Sequence, residues 1–137
     1  MAVALHPDNG PVLNAAIEVH RRLGPGLLES SYKACLAYEL QRSDIPFLTE
    51  VPVPLLYREI RLNCGYRLDF LVNGDLILEV KSVAHIEPVH VAQVMTYLRL
   101  SGARQAFLMN FNAVSFTAGL RSFLGKGNSV PRDRADG

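Results

Sequence analysis

Three charged side chains lie within two short apolar segments of the sequence, LDFLV and LILEVK. They are Asp69, Glu79 and Lys81, and only Val80 separates the last two. Carboxylate oxygens are the ligands that Mg²⁺ prefers, and proteins commonly hold this ion with one or two carboxylates together with a substrate phosphate. A lysine two residues beyond a carboxylate would be placed to contact that phosphate or an attacking water. The alternative is a surface Glu-Lys pair beside an unrelated aspartate, which is the more common explanation of a single Glu-x-Lys pattern.

The length of the loop between the two segments decides whether the charges meet. A two-residue turn at Asn73-Gly74, the first two residues of the stretch 73–75, would pair Asp69 with Leu78. It would place carboxylates opposite apolar groups on both faces of the sheet. A three-residue loop over the whole stretch, or a bulge, would pair Asp69 with Glu79 and Phe70 with Leu78. One face would then be apolar and the other would gather the charges. Two facing carboxylates repel, and a divalent cation would compensate that repulsion, so the longer loop is the predicted arrangement.

Polar residues recur at helical spacing in two other segments. Gln93 and Tyr97 are four residues apart in HVAQVMTYLRL and share one face of a helix, with His90 one turn earlier. Glu29 and Tyr32 are three residues apart at the start of another predicted helix. Each set has a simpler explanation when taken alone, because surface helices carry polar residues outward and an acidic residue in the first turn complements the helix dipole. Both sets become functional candidates only together with the charged strands.

The apolar patterns predict an α/β fold. Helices are expected over residues 9–23, about 28–42 and 88–101. FLTEVPVPLLY is expected to be an edge strand, because its two prolines lack the N–H donors of a central strand. The charged segments supply two strands, and QAFLMNF is a candidate buried parallel strand. The expected order is α-α-β-β-β-α-β, a mixed sheet of about four strands flanked by helices, with a further short helix around residues 119–124.

Length and composition fit one globular domain. The chain has 137 residues, of which 49% are hydrophobic and 20% are charged, a typical balance for globular proteins. We expect a domain over residues 1–124 and a flexible tail over residues 125–137, where the sequence has little to bury. The net charge of +1 provides no overall field that attracts nucleic acid or membrane, so any anion site must be built locally.

Cysteine usage and apolar runs bear on metal sites and compartment. Cys35 and Cys64 lack the number and spacing that a zinc or iron–sulfur site requires, so they are expected to be reduced thiols buried in the core. The sequence does not begin with a basic region followed by a long apolar one, and no apolar run approaches ~18 residues. A cytoplasmic protein without a membrane partner is the resulting expectation.

The charged strands and the third helix together resemble the PD-(D/E)XK nuclease superfamily. The matching residues are Asp69, the Glu79-Val80-Lys81 tripeptide and the Gln93-x-x-x-Tyr97 pair. The restriction-endonuclease-like core of that superfamily is a helix, three strands, a helix and a strand, which agrees with the order expected above. The resemblance therefore implies both a fold and a chemistry.

A closer resemblance is to the small GxxExxY proteins of that superfamily. VHRRLGPGLLESSY carries their signature at Gly26, Glu29 and Tyr32, and YLRLSG followed by AFLMNF is also similar. The resemblance spans about residues 9–124, and its motifs are specific in combination although each is weak alone. The chain departs from the family at Asn112, where the family usually has a glycine after Asn-Phe.

The resemblance implies a metal site. Asp69, Glu79 and the backbone carbonyl of Val80 would hold Mg²⁺ or Mn²⁺, and Glu29 would bind the ion directly or through water. Lys81 would position or activate water and stabilise the negative charge that develops on the phosphate.

The resemblance also implies positioning and substrate contacts. Gln93 would orient the active site, and Tyr97 would contact the substrate backbone. Arg67 shares the strand face of Asp69 and is a candidate phosphate contact, with neutralisation of the carboxylates as the alternative. Tyr32 is a further candidate substrate contact. Two histidines, His20 and His90, are expected to be structural.

A metal-dependent nuclease acting on DNA is therefore the leading expectation. The alternative is a catalytically silent nuclease-like fold that binds nucleic acid or protein, which the near-zero net charge keeps open. A chain of this size offers little surface to duplex DNA, so a homodimer or a larger partner protein is also expected. The choice between DNA and RNA, between single and double strands, and between end and internal cleavage stays open.

Overall fold

The computed structural model describes residues 9–126, and nearly all of the expected tail over residues 125–137 lies outside that range. The helices are α1 (Gly10–Leu23), α2 (Glu29–Arg42) and α3 (Pro88–Ser101). The strands are β1 (Phe47–Pro52), β2 (Leu55–Tyr57), β3 (Ile60–Leu62), β4 (Arg67–Val72), β5 (Leu76–Lys81), β6 (Gln105–Asn110) and β7 (Leu120–Leu124). Within residues 9–126, no helix combines the length and the apolar content that crossing a membrane requires.

The main sheet has five strands in the order β1-β4-β5-β6-β7. β5 and β6 run parallel and are connected through α3, whereas every other neighbouring pair is antiparallel. β2 and β3 form a separate hairpin. The expected mixed α/β fold is confirmed. The expected edge position of β1 is confirmed as well. β1 ends in Pro52, which has no backbone N–H, and an edge strand tolerates this loss because only one of its sides is paired.

The register between β4 and β5 is the one that the three-residue loop predicts, but the pairing stops at Phe70 and Leu78 and does not continue to the predicted pair of Asp69 with Glu79. Phe70 pairs with Leu78, and residues 73–75 lie between the paired strands. The loop is fixed at its third residue, because the Asp75 carboxylate lies 2.8 Å from Arg104 Nε and also accepts a hydrogen bond from the Arg104 backbone N–H at 3.1 Å. Since Arg104 immediately precedes β6, this contact ties the β4–β5 loop to the next strand of the sheet.

Apolar side chains cover both faces of the sheet. On one face, the cluster beneath α1 and α2 includes Tyr32, Leu36, Phe70, Leu78 and Phe107. On the other face, the cluster beneath α3 includes Ile77, Val94, Tyr97, Leu98 and Leu108. The expectation of one apolar and one charged face is therefore wrong, because helices pack on both sides. The buried charges are restricted to the part of β4 and β5 where their regular pairing stops.

Two strand assignments differ from expectation. The helix predicted around residues 119–124 is wrong, because this stretch forms β7 and pairs antiparallel with β6 after a 3₁₀ turn at Thr117–Gly119. The main sheet consequently has five strands rather than about four. FLTEVPVPLLY is not one strand, since its first half forms β1 and its last residues form β2 of the separate hairpin. The prolines interrupt the strand as well as confining it to an edge.

The cysteines are less buried than expected. Cys64 is exposed in the connection between β3 and β4, and Cys35 is half-buried against the cluster beneath α1 and α2. Both thiols are free. The expectation of two buried core thiols is wrong for Cys64, which lies in a connection outside the regular strands.

Gly119 marks a close approach between the 3₁₀ turn and the end of β6. A Cβ atom at this position would lie 2.2 Å from the carbonyl oxygen of Asn110 and 2.9 Å from the Cβ of Ala113. Gly119→Ala is therefore expected to destabilise the protein by about 1–3 kcal/mol, as overpacking typically does. Urea unfolding measures the change. Gly10→Ala is the matched control, since its Cβ would meet nothing within 4 Å, and equal midpoints for both variants would contradict the prediction.

Candidate active site

Glu79 and Lys81 project from the same face of β5, because alternate residues of a strand point the same way. β5 is the central strand, and Glu79 is only 4% exposed. Lys81 Nζ donates to Glu79 Oε2 at 3.2 Å. The other oxygen, Glu79 Oε1, is buried and has no hydrogen-bond partner among the described residues. A buried acceptor without a partner is costly, so the position suits a cation or a proton donor.

Asp69 is held beside β5 by a hydrogen bond to the backbone. The regular β4–β5 pairing ends at Phe70 and Leu78, and beyond that pair Asp69 Oδ2 accepts the N–H of Val80 at 2.9 Å. The carboxylate thus takes the place that a backbone carbonyl would have in a continuing ladder. This contact fixes Asp69 next to the residue that follows Glu79.

Lys81 is also held from α3. Its Nζ donates to Gln93 Oε1 at 3.2 Å, and Gln93 Nε2 donates to the Tyr97 hydroxyl at 3.2 Å. The spacing of four residues on one helix face therefore brings Gln93 and Tyr97 together. Both belong to a series of hydrogen bonds that starts at Glu79 and passes through Lys81. Tyr97 is buried, and its ring contacts Tyr66 edge-on at 6.4 Å between centroids.

The two histidines have structural partners, as expected. His90 lies in the first turn of α3, where its Nδ1 accepts the backbone N–H of Glu87 and completes a capping box. His20 is buried near the end of α1, and its Nε2 donates to the carbonyl of Ala113 at 2.8 Å. His90 therefore helps to define where the helix carrying Gln93 begins.

Lys33 and Glu50 are two site neighbours that the sequence did not reveal. Lys33 Nζ lies 3.2 Å from Asp69 Oδ1 and 3.0 Å from Glu50 Oε2. Burial lowers the pKa of Lys33, but Glu50 and Asp69 raise it further, so the net shift is upward. Lys33 follows Glu29 by four residues, and this spacing would have placed it on the same helix face. Glu50 offers no comparable signal, because its contact depends on β1 lying beside β4.

Tyr32, an expected substrate contact, has a structural position in the fold. Its side chain is fully buried and stacks on Phe111 at 4.9 Å between ring centroids. Its hydroxyl donates to the carbonyl of Gly24 and accepts the N–H of Leu27. Tyr32 therefore fixes the loop that leads into α2, and any effect on the site passes through that loop.

Glu29 begins α2 and lies close enough to Glu79 for its charge to raise the pKa of that carboxyl. Among residues 9–126, however, no three Asp, Glu, His or Cys side chains gather closely enough to hold one metal ion. Direct binding of an ion by Glu29 together with both strand carboxylates is therefore not supported. The arrangement still permits Glu29 to contact an ion through water.

Asn112, the departure from the expected glycine, links two segments around the site. Its Oδ1 accepts the N–H of Gly26 at 2.9 Å, and its Nδ2 donates to the carbonyl of Val83 at 3.2 Å. A second link is made by Ser82, whose hydroxyl donates to the carbonyl of Leu27 at 2.6 Å. The loop before α2 is thus attached to the residues that follow β5, and the amide side chain has a role that glycine would lack.

Arg67 is exposed at the start of β4, two residues before Asp69. Within the described part of the chain, no ion pair is formed by its guanidinium. The alternative that Arg67 neutralises the carboxylates is therefore not supported by a contact. Lys33 neutralises Asp69 instead, which leaves Arg67 accessible to an anion.

Burial and the nearby carboxylates raise the pKa of two groups of the site, Glu79 and Tyr97. Burial and then the charge of Asp69 raise the pKa of Glu79 to about 7, against the opposing effect of Lys81. Burial, followed by the charges of Glu79 and Asp69, raises the pKa of Tyr97, so its hydroxyl stays protonated near neutral pH. Glu79 thus exchanges a proton close to neutral pH, where a divalent cation would compete with that proton.

The residues present fit a divalent cation. Glu79 Oε1 is a buried oxygen that has no partner within residues 9–126. It lies in a site with a second carboxylate, and the two carboxylates repel when both are ionised. One or two carboxylates are the usual protein contribution to a Mg²⁺ site that keeps several waters. The site therefore offers the right donor type, although it offers two carboxylates rather than three.

One of three comparisons with known proteins identifies a family for the chain. A family model described as the PD-(D/E)XK nuclease superfamily matches residues 8–123, which is most of the chain. No match was found among curated proteins or among solved structures.

The raised pKa of Glu79 predicts how stability depends on pH in the absence of divalent cations. The pKa is about 7 in the folded protein against an ordinary value of 4.5, so the folded state holds its proton more tightly. The associated stability is complete below pH ~4.5 and is lost as the pH rises through about 7. We expect the free energy of unfolding, measured with urea and a chelator, to fall by on the order of 2–3 kcal/mol over that range.

Glu79→Gln should remove most of this pH dependence, because glutamine cannot ionise. Glu59→Gln is the matched control, since Glu59 is exposed in the turn between β2 and β3 rather than at the site. An unchanged slope in Glu79→Gln would assign the pH dependence to another group.

Proposed function

Because the chain belongs to the PD-(D/E)XK nuclease superfamily, we propose that it is a metal-dependent nuclease that hydrolyses the phosphodiester bonds of DNA. The observation that carries the proposal is the convergence of Asp69, Glu79 and Lys81 where the β4–β5 pairing ends. The strand register, the Val80 N–H and the Gln93 amide all contribute to this convergence. Chemistry-bearing residues from separate elements are thereby brought into one buried cluster.

Asp69, Glu79 and the carbonyl of Val80 would hold the divalent ion, with Glu29 acting through water. Superfamily members generally use such ions, and bound Mg²⁺ or Mn²⁺ would polarise a phosphate oxygen and lower the pKa of a coordinated water. The protein's own contribution is to keep two carboxylates in a largely buried position. In such surroundings their charges act more strongly than in bulk water.

Lys81 would act on the attacking water and on the developing phosphate charge. Its ammonium is fixed between Glu79 and Gln93, and Gln93 is fixed in turn by Tyr97. A cation held in this way needs little reorganisation during reaction, which is the condition for effective electrostatic stabilisation. Gln93 and Tyr97 are thus proposed to position Lys81, and the exposed Arg67 to contact a neighbouring phosphate.

Exposed tyrosine and arginine side chains support nucleic acid as the substrate. Tyr57 and Arg58 lie at the tip of the β2–β3 hairpin, with the guanidinium 5.8 Å from the ring centroid. Tyr66 is partly exposed and contacts Tyr97 of the site. Arginine suits phosphate and tyrosine suits stacking on bases, so these side chains are proposed to contact the nucleic-acid strand.

We also propose that the chain belongs to the GxxExxY proteins within the superfamily, because it carries their signature residues Gly26, Glu29 and Tyr32. The signature is supported here by structural reasons, because Tyr32 and the loop at Gly26 position the start of α2, where Glu29 lies. We further propose that a homodimer or a larger partner supplies surface that one small chain lacks for duplex DNA.

A catalytically silent nuclease-like fold is the second candidate. The ion pair between Lys33 and Asp69 favours it, because an internal cation already compensates one of the two strand carboxylates. In this alternative the chain binds nucleic acid or protein without cleaving a bond.

We expect Lys81→Ala to lose DNA cleavage but to keep metal binding, and Asp69→Asn to lose both. Lys81→Ala should reduce cleavage of labelled DNA at least a hundredfold, while the rise in melting temperature caused by Mn²⁺ stays close to the wild-type value, because Lys81 is not an ion ligand. Asp69→Asn should lose most of both. Measurement at pH 8 keeps Glu79 largely ionised in each protein.

Lys126→Ala is the matched control, since it removes the same side chain from an exposed position outside the site. Wild-type cleavage by Lys81→Ala would contradict the assigned mechanism. A folded wild-type protein that is stabilised by Mn²⁺ and binds DNA, yet cuts no single-stranded, double-stranded or branched substrate, would establish the silent alternative.

A further inference from the structure

Lys33 bridges two carboxylates and has no part in the proposed reaction. Its ammonium contacts Asp69 Oδ1 at 3.2 Å and Glu50 Oε2 at 3.0 Å. The side chain of Lys33 is 25% exposed and that of Asp69 is 11% exposed, whereas that of Glu50 is 49% exposed. The ammonium therefore lies between an enclosed carboxylate and one that water reaches freely.

Both oxygens of Asp69 are already engaged. Oδ2 accepts the Val80 N–H, and Oδ1 pairs with Lys33. Glu79 differs, because its Oε1 has no partner among the described residues. A divalent cation that binds both carboxylates would thus find one free oxygen on Glu79 but would have to share Asp69 with Lys33.

Glu50, the second partner of Lys33, has an uncommon backbone conformation. Its φ of 51° lies in the left-handed region, which non-glycine residues seldom adopt. Glu50 occupies the position opposite Asp69, between the Thr49–Phe70 and Val51–Leu68 pairs, and is itself missing from the regular β1–β4 pairing. Backbone strain of this kind persists where surrounding structure enforces it, and it often accompanies functional sites.

We propose that Lys33 is a resident cation that competes with the divalent ion for Asp69, and that Glu50 is the anion that retains Lys33 when the ion binds. The inference rests on the proposed metal site and concerns how that site is controlled. Lys33 compensates Asp69 when no divalent ion is bound, so the two strand carboxylates coexist at a lower energetic cost. When the ion arrives, Lys33 moves its contact entirely to Glu50, which solvent can reach.

The two residues therefore have opposite effects on affinity. Lys33→Met removes the competing cation and is expected to tighten Mn²⁺ binding roughly tenfold, since a charge a few ångströms away acts strongly in a partly buried site. Glu50→Gln removes the alternative partner of Lys33, leaves the ammonium on Asp69 and is expected to weaken Mn²⁺ binding by a similar factor. Isothermal titration with Mn²⁺ at pH 8 measures both effects without any substrate.

The double variant distinguishes this proposal from a direct action of Glu50 on the ion. If Glu50 acts through Lys33, Glu50→Gln should change Mn²⁺ affinity less than twofold in the Lys33→Met background, so the two effects are strongly non-additive. If Glu50→Gln weakens binding equally in both backgrounds, Glu50 is a ligand or a direct charge partner of the ion, and the proposal is overturned. Unchanged or weaker binding by Lys33→Met overturns it as well.

Two further proteins keep the outcomes separable. Lys33→Gln repeats the test with a polar side chain, in case the methionine variant is poorly folded by circular dichroism. Asp69→Asn reports on the proposed site itself. If wild type and Asp69→Asn bind Mn²⁺ equally, the proposed metal site fails, and the competition at Asp69 fails with it. If only Asp69→Asn loses binding while the Lys33 variants match the wild type, the metal site stands and the competition alone is refuted.

Discussion

The hydrogen bond from the Val80 N–H to Asp69 Oδ2 is the contact on which the candidate site depends. It forms where the regular β4–β5 pairing stops, so a carboxylate replaces the backbone acceptor that a longer ladder would provide. The carboxylate is thereby fixed beside the backbone between Glu79 and Lys81. The register that makes this possible is set at the other end of the hairpin, where Asp75 holds the three-residue loop against Arg104.

Placing the site on the central strand has an electrostatic consequence. A glutamate on an edge strand would keep much of its hydration, whereas Glu79 is buried and close to a second carboxylate. Part of the resulting repulsion is offset by Lys81, and part of the Asp69 charge by Lys33. Burial and the uncompensated charge of Asp69 raise the pKa of Glu79. Burial also leaves Glu79 Oε1 without a hydrogen-bond partner among the described residues. Functional sites commonly retain such local instability because the rest of the fold compensates for it.

Local patterns predicted the parts of the site that depend on local geometry. The alternation of apolar residues selected the pairing of Phe70 with Leu78, and the four-residue spacing brought Gln93 and Tyr97 to one helix face. Contacts between distant segments were not accessible in this way. Glu50 meets Lys33 only because β1 lies beside β4, and the stretch 120–124 becomes a strand only because β6 offers it an edge. Tyr32 has the residue type of a substrate contact, but tertiary packing buries it.

The elements around the site differ in how freely they can adjust. The loop before α2 is attached to the residues after β5 by Asn112 and Ser82, and it is fixed from within by Tyr32. Glu79 and Lys81 lie on the part of β5 that pairs with β6, and on the other side the Asp69 carboxylate accepts the Val80 N–H, so their positions are strongly determined. β1 is an edge strand with one neighbour, and a backbone distortion there disturbs fewer hydrogen bonds. The strained Glu50 lies on this strand, so the fold holds the two proposed carboxylate ligands rigidly and leaves the proposed partner of Lys33 at the permissive edge.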